Sequence, residues 1–206
     1  VLDDVTVQGY NSLNQLDDSN STNVNGIATL TLMEYYQEGN INYYLVPHTI
    51  KAFKNNYTEN STSINLLNTT GGSANLTIQS ITCGSSLETN VRLGNNFSCS
   101  GNGFTVNQDN IIIQGNNNQL IGNGSGIGIN LSGRDNITIV GLTITNFSQA
   151  INLYQSNNSN ITRVTIINNT DGILFNISND NNVYDSIIAN NTQYDVYPIN
   201  SYGTNN

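Results

Sequence analysis

Gly126-Ile127-Gly128-Ile129-Asn130-Leu131, Ser148-Gln149-Ala150-Ile151-Asn152-Leu153 and Thr170-Asp171-Gly172-Ile173-Leu174-Phe175 are three versions of one pattern. Gly128, Ala150 and Gly172 recur at a step of 22 residues, and the same step predicts that Ile129, Ile151 and Ile173 stack. A second element follows each copy: Asp135-Asn136-Ile137-Thr138-Ile139, Ser159-Asn160-Ile161-Thr162 and Asn181-Asn182-Val183-Tyr184, with Asp109-Asn110-Ile111-Ile112-Ile113 as an earlier version. A third element is Leu142-Thr143-Ile144, Val164-Thr165-Ile166 and Ser186-Ile187-Ile188, each followed by an asparagine at Asn146, Asn168 and Asn190.

Each unit therefore holds three short stretches of period-2 alternation with Asn or Gly between them, one coil of a three-faced solenoid. A single coil cannot bury its own apolar side chains. Stacked coils can, because Ile and Val form ladders and every backbone group pairs with the coil above or below. Asn suits the corners because it tolerates left-handed backbone, and the small Gly128, Ala150 and Gly172 are expected to sit at a tight corner. An amphipathic helix is excluded, since β-branched residues are abundant and the apolar ones alternate. At the far end, Tyr194-Asp195-Val196-Tyr197 continues the ladder with a one-residue slip, after which Pro198 and a Gly/Asn tail are expected to end it. With no capping helix in sight, that end needs a cover from the tail, from glycans or from another subunit.

The chain has 206 residues, enough for one large all-β domain or two small ones. About a fifth of it is Asn and another fifth is Ser plus Thr, while only 9% is charged and the net charge is −9. Lys51, Lys54, Arg92, Arg134 and Arg163 are the only cations. Five scattered cations cannot neutralise a run of phosphates, so nucleic acid is excluded as a partner. No stretch is long and apolar enough for a membrane span, and a start at Val1 without Met or a leader reads as a mature or excised segment. Cys83 and Cys99 have no His or further Cys nearby to complete a zinc site, so a disulfide is expected, with a buried free pair as the alternative.

Fifteen Asn-x-Ser/Thr triplets begin at Asn20, Asn56, Asn60, Asn68, Asn75, Asn96, Asn123, Asn130, Asn136, Asn146, Asn157, Asn160, Asn168, Asn176 and Asn190. Composition alone would scatter roughly eight. Corners that favour Asn and strands that favour Thr explain part of the excess, notably where Ile is the middle residue. The remainder predicts an N-glycosylated exterior, which also discourages aggregation through sheet edges.

From Cys99-Ser100-Gly101-Asn102-Gly103-Phe104-Thr105-Val106 through Asp109-Asn110-Ile111 and the three coils, the sequence resembles the NosD-like parallel β-helix repeat proteins of archaea and bacteria. The resemblance covers residues 73–206 and implies a right-handed parallel β-helix of about 22 residues per coil. Residues 1–72 differ in texture. Asn23-Val24-Asn25-Gly26-Ile27-Ala28-Thr29-Leu30-Thr31-Leu32 is similar to the turn and strand of carboxypeptidase-regulatory-like, Ig-like β-sandwich modules, with Thr49-Ile50-Lys51-Ala52-Phe53-Lys54-Asn55-Asn56-Tyr57 as a later strand. Such modules begin with a strand and turn ahead of the segment matching Val5-Thr6-Val7, so the resemblance implies a sandwich short of its first strand, with an open edge and a groove. A neighbouring chain could fill that groove by strand addition. A chain that begins inside a longer protein, and a different alignment, are the alternatives.

Pectate-lyase-like β-helices include polysaccharide enzymes, which gather carboxylates and a basic partner in one groove. Here the helix region offers Asp109, Asp135, Asp171, Asp180, Asp185 and Asp195; Asp109 and Asp135 occupy equivalent corners that continue as Ser159 and Asn181, a turn preference, Asp180 and Asp185 flank a strand with no basic residue close in sequence, and Arg134 and Arg163 lie at different points of their coils. Copper, which the NosD name suggests, needs imidazole or soft ligands, and His48 and Met33 are single and outside the helix. Asp17-Asp18-Ser19-Asn20 lacks the spacing of a calcium loop. Tyr35, Tyr36, Tyr43 and Tyr44 read either as sandwich strand residues or as an adhesive patch. No catalytic residue, metal ligand or cofactor is assigned. The expected protein is an all-β structural glycoprotein, extracellular or on the cell surface and of archaeal type, whose copies form a filament, sheath or surface layer through strand donation or β-helix stacking. The alternatives are a carbohydrate-binding or adhesive module and a polysaccharide lyase or hydrolase.

Overall fold

The computed structural model describes residues 1–67 and 71–199; the Asn68 sequon and the tail from Asn200 to Asn206 lie outside the described residues. The chain is all-β and divides into two compact units, Val1–Lys54 with Glu59–Gln79, and Asn55–Thr58 with Ser80 onward.

The first unit is built on four antiparallel strands in the order β2-β1-β5-β6, where β1 is Thr6–Tyr10, β2 is Leu16–Ser21, β5 is His48–Phe53 and β6 is Asn60–Ile64. Alternation sets its faces: His48, Ile50 and Ala52 are buried while Thr49, Lys51 and Phe53 point the other way. Two further strands, β3 (Tyr35–Glu38) and β4 (Ile41–Tyr44), pair only with each other. The expected turn exists, with the Gly26 N–H bonded to the Asn23 carbonyl at 2.8 Å and Gly26 at φ 69°. The stretch after it, residues 27–33, joins no ladder, and exposed and half-buried residues alternate along it as in an extended chain.

The second unit is a parallel β-solenoid of five coils. The first holds β7 (Ser86–Leu87), β8 (Val91–Arg92) and β9 (Phe97–Ser98); the second holds β10 (Phe104–Val106) and the long, bulged β11 (Ile112–Ile121). β12 (Ile127–Asn130) and β13 (Thr138–Thr145) make the third, and β14 (Gln149–Tyr154), β15 (Asn160–Thr162) and β16 (Thr165–Ile167) the fourth. The fifth has β17 (Asp171–Asn176), β18 (Asn182–Tyr184) and β19 (Ile187–Ala189), and β20 (Tyr194–Ile199) begins the next. Ile129 pairs with Ile151 and Ile151 with Ile173, as the 22-residue step requires. Ile173 then pairs with Val196, which is the expected slip. The ladder runs past Pro198 to Ile199, because β20 is an edge strand and proline's missing N–H costs nothing on the open side. Inside, Ile113, Leu120, Ile139, Ile144, Ile151, Leu153, Ile161, Ile166 and Ile173 are fully buried. A disulfide joins Cys83 to Cys99 at the first coils.

The corners carry the same 22-residue step in their backbone. Asn146, Asn168 and Asn190 have φ 61°, 58° and 59°; Gly141, Arg163 and Asp185 have 65°, 51° and 52°; Gly133, Gln155 and Ile177 have 70°, 53° and 52°. Gly128, Ala150 and Gly172 are not at corners. They lie inside β12, β14 and β17, and their small size answers a close approach: a Cβ on Gly128 would stand 2.6 Å from the Ala150 carbonyl oxygen, and one on Gly172 2.1 Å from that of Asp195. The corners also bury polar groups that periodicity does not reveal. The Asn181 amide accepts from the Ser159 N–H at 2.9 Å and donates to the Ser156 carbonyl at 2.8 Å. Ser178 donates to the Leu153 carbonyl at 3.0 Å, and Asn169 bonds the Phe147 N–H and the Asn191 side chain, both at 3.0 Å.

Ile177 is a β-branched residue in left-handed backbone, a conformation that costs about 1–2 kcal/mol, and its side chain is exposed. Ile177→Gly should therefore stabilise the solenoid by about 0.5–1 kcal/mol after glycine's own entropic cost, whereas Ile151→Ala in the ladder should destabilise it by about 2–5 kcal/mol. Urea unfolding followed by circular dichroism measures both; a destabilising Ile177→Gly would refute the strain.

Candidate strand-binding groove

In the first unit, the inward face of the sheet supplies Val5, Val7, Ile50, Ala52 and Ile64 as the floor of a groove of about 990 Å³. Extended stretches form its sides: Ala28, Leu30 and Leu32 contribute from one, Ala74, Leu76 and Ile78 from the other. Gly9 makes the first approach possible, because a Cβ there would stand 2.3 Å from Leu32 Cδ2.

What holds the first stretch in place is a set of side chains from β2. Asp18 Oδ2 accepts the Thr31 N–H at 2.7 Å, Asp17 Oδ2 the Met33 N–H at 3.3 Å, and the Asn20 amide donates to the Thr29 carbonyl at 3.1 Å. Since N–H and C=O groups of alternate residues point to opposite edges of an extended chain, Leu30 and Leu32 present theirs on the other edge. They make no backbone hydrogen bond among the described residues. The second stretch is arranged alike. Asn60 donates to the Thr77 carbonyl at 2.8 Å, while the main-chain groups of Leu76 and Ile78 have no partner among the described residues. An apolar floor between two free strand edges matches the needs of one extended peptide with alternating apolar side chains.

His48 is fully buried, and its Nε2 lies 3.0 Å from Asp17 Oδ2 and 3.1 Å from the Met33 carbonyl oxygen. Both partners are acceptors, so Nε2 carries the proton. Asp17 and Asp18, weighed above as calcium ligands, thus serve as acceptors for the wall of the groove. Among the described residues no group of three or more His, Cys, Asp or Glu is gathered as a metal ion would need, and no helix is long and apolar enough to cross a membrane.

In the solenoid, Asp109 Oδ1 accepts the Asp135 N–H at 3.1 Å, and Asp135 Oδ1 accepts the Asn157 N–H at 2.7 Å, a corner ladder from coil to coil. Asp195 bonds Asn191, while Asp180 and Asp185 occupy left-handed corners. Asn55, Asn56 and Tyr57, expected as the end of a sandwich strand, instead belong with Thr58 to the second unit. Thr58 bridges Val91, the Asn56 N–H bonds the Arg92 carbonyl at 2.7 Å, and Asn56 Oδ1 accepts the Gly94 N–H at 2.8 Å. The chain itself thereby covers the first coil.

The sequons fall into two environments. In the triplets of Asn157 and Asn176 the serines, Ser159 and Ser178, are fully buried and bond between coils, and Thr162 in the Asn160 triplet is also buried. Asn20, Asn75, Asn96, Asn123, Asn136, Asn146, Asn168 and Asn190 are exposed; Asn56, Asn60 and Asn130 are half-buried. Tyr35, Tyr36, Tyr43 and Tyr44 lie together on the β3–β4 hairpin, every residue of which is exposed. They are not core residues of the sheet. Searches of family models, curated proteins and solved structures find no match to this chain.

Removing the acceptors on β2 should loosen the groove wall before anything else. Asp17→Ala removes the acceptor of the Met33 N–H and of the Asn11 side-chain amide and leaves the His48 Nε2–H only the Met33 carbonyl, which costs about 1–3 kcal/mol. The expected result is amide hydrogen exchange at Met33 faster by roughly tenfold or more, with Thr31, which Asp18 holds, less affected and the solenoid amides unchanged; equal protection of Met33 in the variant would show that the Asp17 carboxylate does not hold the wall.

Proposed function

We propose that this chain is a structural subunit of an extracellular or cell-surface assembly, in which an extended strand from a neighbouring copy completes the groove of the first unit. The observation that carries the reading is the groove itself, an apolar floor flanked by two stretches on which the main-chain groups of Leu30, Leu32, Leu76 and Ile78 lack partners among the described residues. Leaving such groups open costs free energy, and a donated strand would satisfy both edges while burying its apolar residues. End-to-end stacking of solenoids is the less favoured joint, because Asn55–Thr58 already lies on the first coil. In this reading the first unit is an Ig-like module short of one strand, the solenoid is a NosD-like β-helix, and the protein is an archaeal-type surface glycoprotein without catalytic activity. Low charge, a disulfide and an Asn-rich exterior suit a surface that must stay soluble outside the cell.

Electron microscopy of the native protein should show linear or lattice assemblies. Leu76→Asp, which places a carboxylate in the groove, should leave dispersed monomers with an unchanged far-ultraviolet spectrum, and at least a hundredfold weaker association, about 2.7 kcal/mol. Native protein that sediments as a monomer at every concentration would sink the proposal.

For the coat, intact mass should fall on deglycosylation, with glycopeptides concentrated at the exposed corner residues Asn146, Asn168 and Asn190 and absent at Asn157 and Asn176. Glycans on the latter pair would show that their buried serines do not protect them, and an unshifted mass would end the glycoprotein reading.

A further inference from the structure

The β3–β4 hairpin lines no part of the groove and pairs with no other strand among the described residues. Its strands pair Tyr35 with Tyr44, Tyr36 with Tyr43, Gln37 with Asn42 and Glu38 with Ile41, around a turn in which Gly39 has φ 61°. Its base is fixed. The Leu45 N–H bonds the Glu34 carbonyl at 2.8 Å, Leu45 is buried and its carbonyl accepts the Ser12 N–H at 2.9 Å. An isolated two-stranded hairpin is marginal in water, so eight exposed residues here call for a reason.

Alternation divides the residues between two faces of different character. One face carries Tyr36, Tyr43, Glu38 and Ile41. Its tyrosine rings are stacked, 4.9 Å apart with 10° between planes, a cross-strand pair that stabilises the hairpin. The other face carries Tyr35, Tyr44, Gln37 and Asn42. There the rings are 5.7 Å apart and tilted by 51°, and they are 45% and 53% exposed. Beside them the two side-chain amides make no hydrogen bond among the described residues.

We propose that the Tyr35–Tyr44 face, with Gln37 and Asn42, is a binding site for neutral glycans. Tilted aromatic rings offer apolar surface to the C–H faces of pyranose rings, and their hydroxyls together with two amides offer both donors and acceptors to sugar hydroxyls. A purely apolar partner would leave those amides desolvated and unpaired, which is costly. An anionic partner finds no cation on this face. The site is independent of the groove, so either can fail alone.

The test uses the full chain and three neutral probes: cellohexaose, mannohexaose and chitohexaose, with polygalacturonate as an anionic comparison. At least one neutral probe should bind with a dissociation constant of about 0.1–1 mM, measured by calorimetry. Tyr44→Ala should weaken that binding about tenfold or more, and Gln37→Ala with Asn42→Ala, which keeps the rings, should weaken it by a similar factor. Hairpin integrity is read separately from the near-ultraviolet tyrosine signal. The site is refuted if none of the neutral probes binds up to about 5 mM, if both variants bind as the parent does, or if polygalacturonate binds in preference. It is equally refuted if the variants change only self-association, which would make the hairpin a contact between copies.

Discussion

A coil of twenty-odd residues has almost no interior, and the solenoid exists only because the main chain of each coil bonds to the next. That parallel ladder requires every coil to return to the same position before the next begins, which fixes the number of residues per turn and the places where the chain must bend. The recurring left-handed residues at Gly133, Gln155 and Ile177, at Gly141, Arg163 and Asp185, and at Asn146, Asn168 and Asn190 are the local expression of that demand. Even an isoleucine accepts the strained conformation, because the stacked strands on either side over-determine it. Core packing then follows: with register fixed, Ile129, Ile151 and Ile173 can only stack.

The regular coils were legible because register and periodicity are the same quantity in a solenoid. Ile139 over Ile161, and the slip at Val196, follow from counting. Counting failed where tertiary contacts choose between equivalent local structures. Gly128, Ala150 and Gly172 look like corner residues but are strand residues under a neighbouring carbonyl. Asn55–Thr58 has strand character, and nothing local says that it pairs with Val91 of the first coil instead of extending β5. Asn169 and Asn181 look like any other asparagine in an asparagine-rich chain; only their buried position shows that they satisfy main-chain groups between coils. The hairpin tyrosines were the hardest to place, since aromatic residues in a strand ordinarily signal burial.

The two units handle main-chain hydrogen bonding differently. Within the solenoid, corners as well as strands are tied coil to coil, down to side chains such as Ser178 that accept from the Ser156 amide and donate to the Leu153 carbonyl of the preceding coil. The first unit holds the two sides of its groove by side chains, from Asp17, Asp18 and Asn20 on one stretch and from Asn60 on the other. On the other edge Leu30, Leu32, Leu76 and Ile78 make no main-chain hydrogen bond among the described residues.

Asparagine links the backbone problem to the surface. A corner of this solenoid needs a residue that tolerates left-handed backbone, and the strand that follows favours Ser or Thr, so the fold alone writes Asn-x-Ser/Thr at its bends. Side-chain direction then separates the consequences. At the corner of Asn146, Asn168 and Asn190 the first residue faces solvent, the next faces inward as Phe147, Asn169 and Asn191, and the hydroxyl residue is at least partly exposed in all three. At Asn157 and Asn176 the hydroxyl residue turns inward and becomes part of the corner. One triplet thus has two physical causes, distinguished by whether its third residue is needed inside, and a surface coat could evolve by keeping the first kind without disturbing the second.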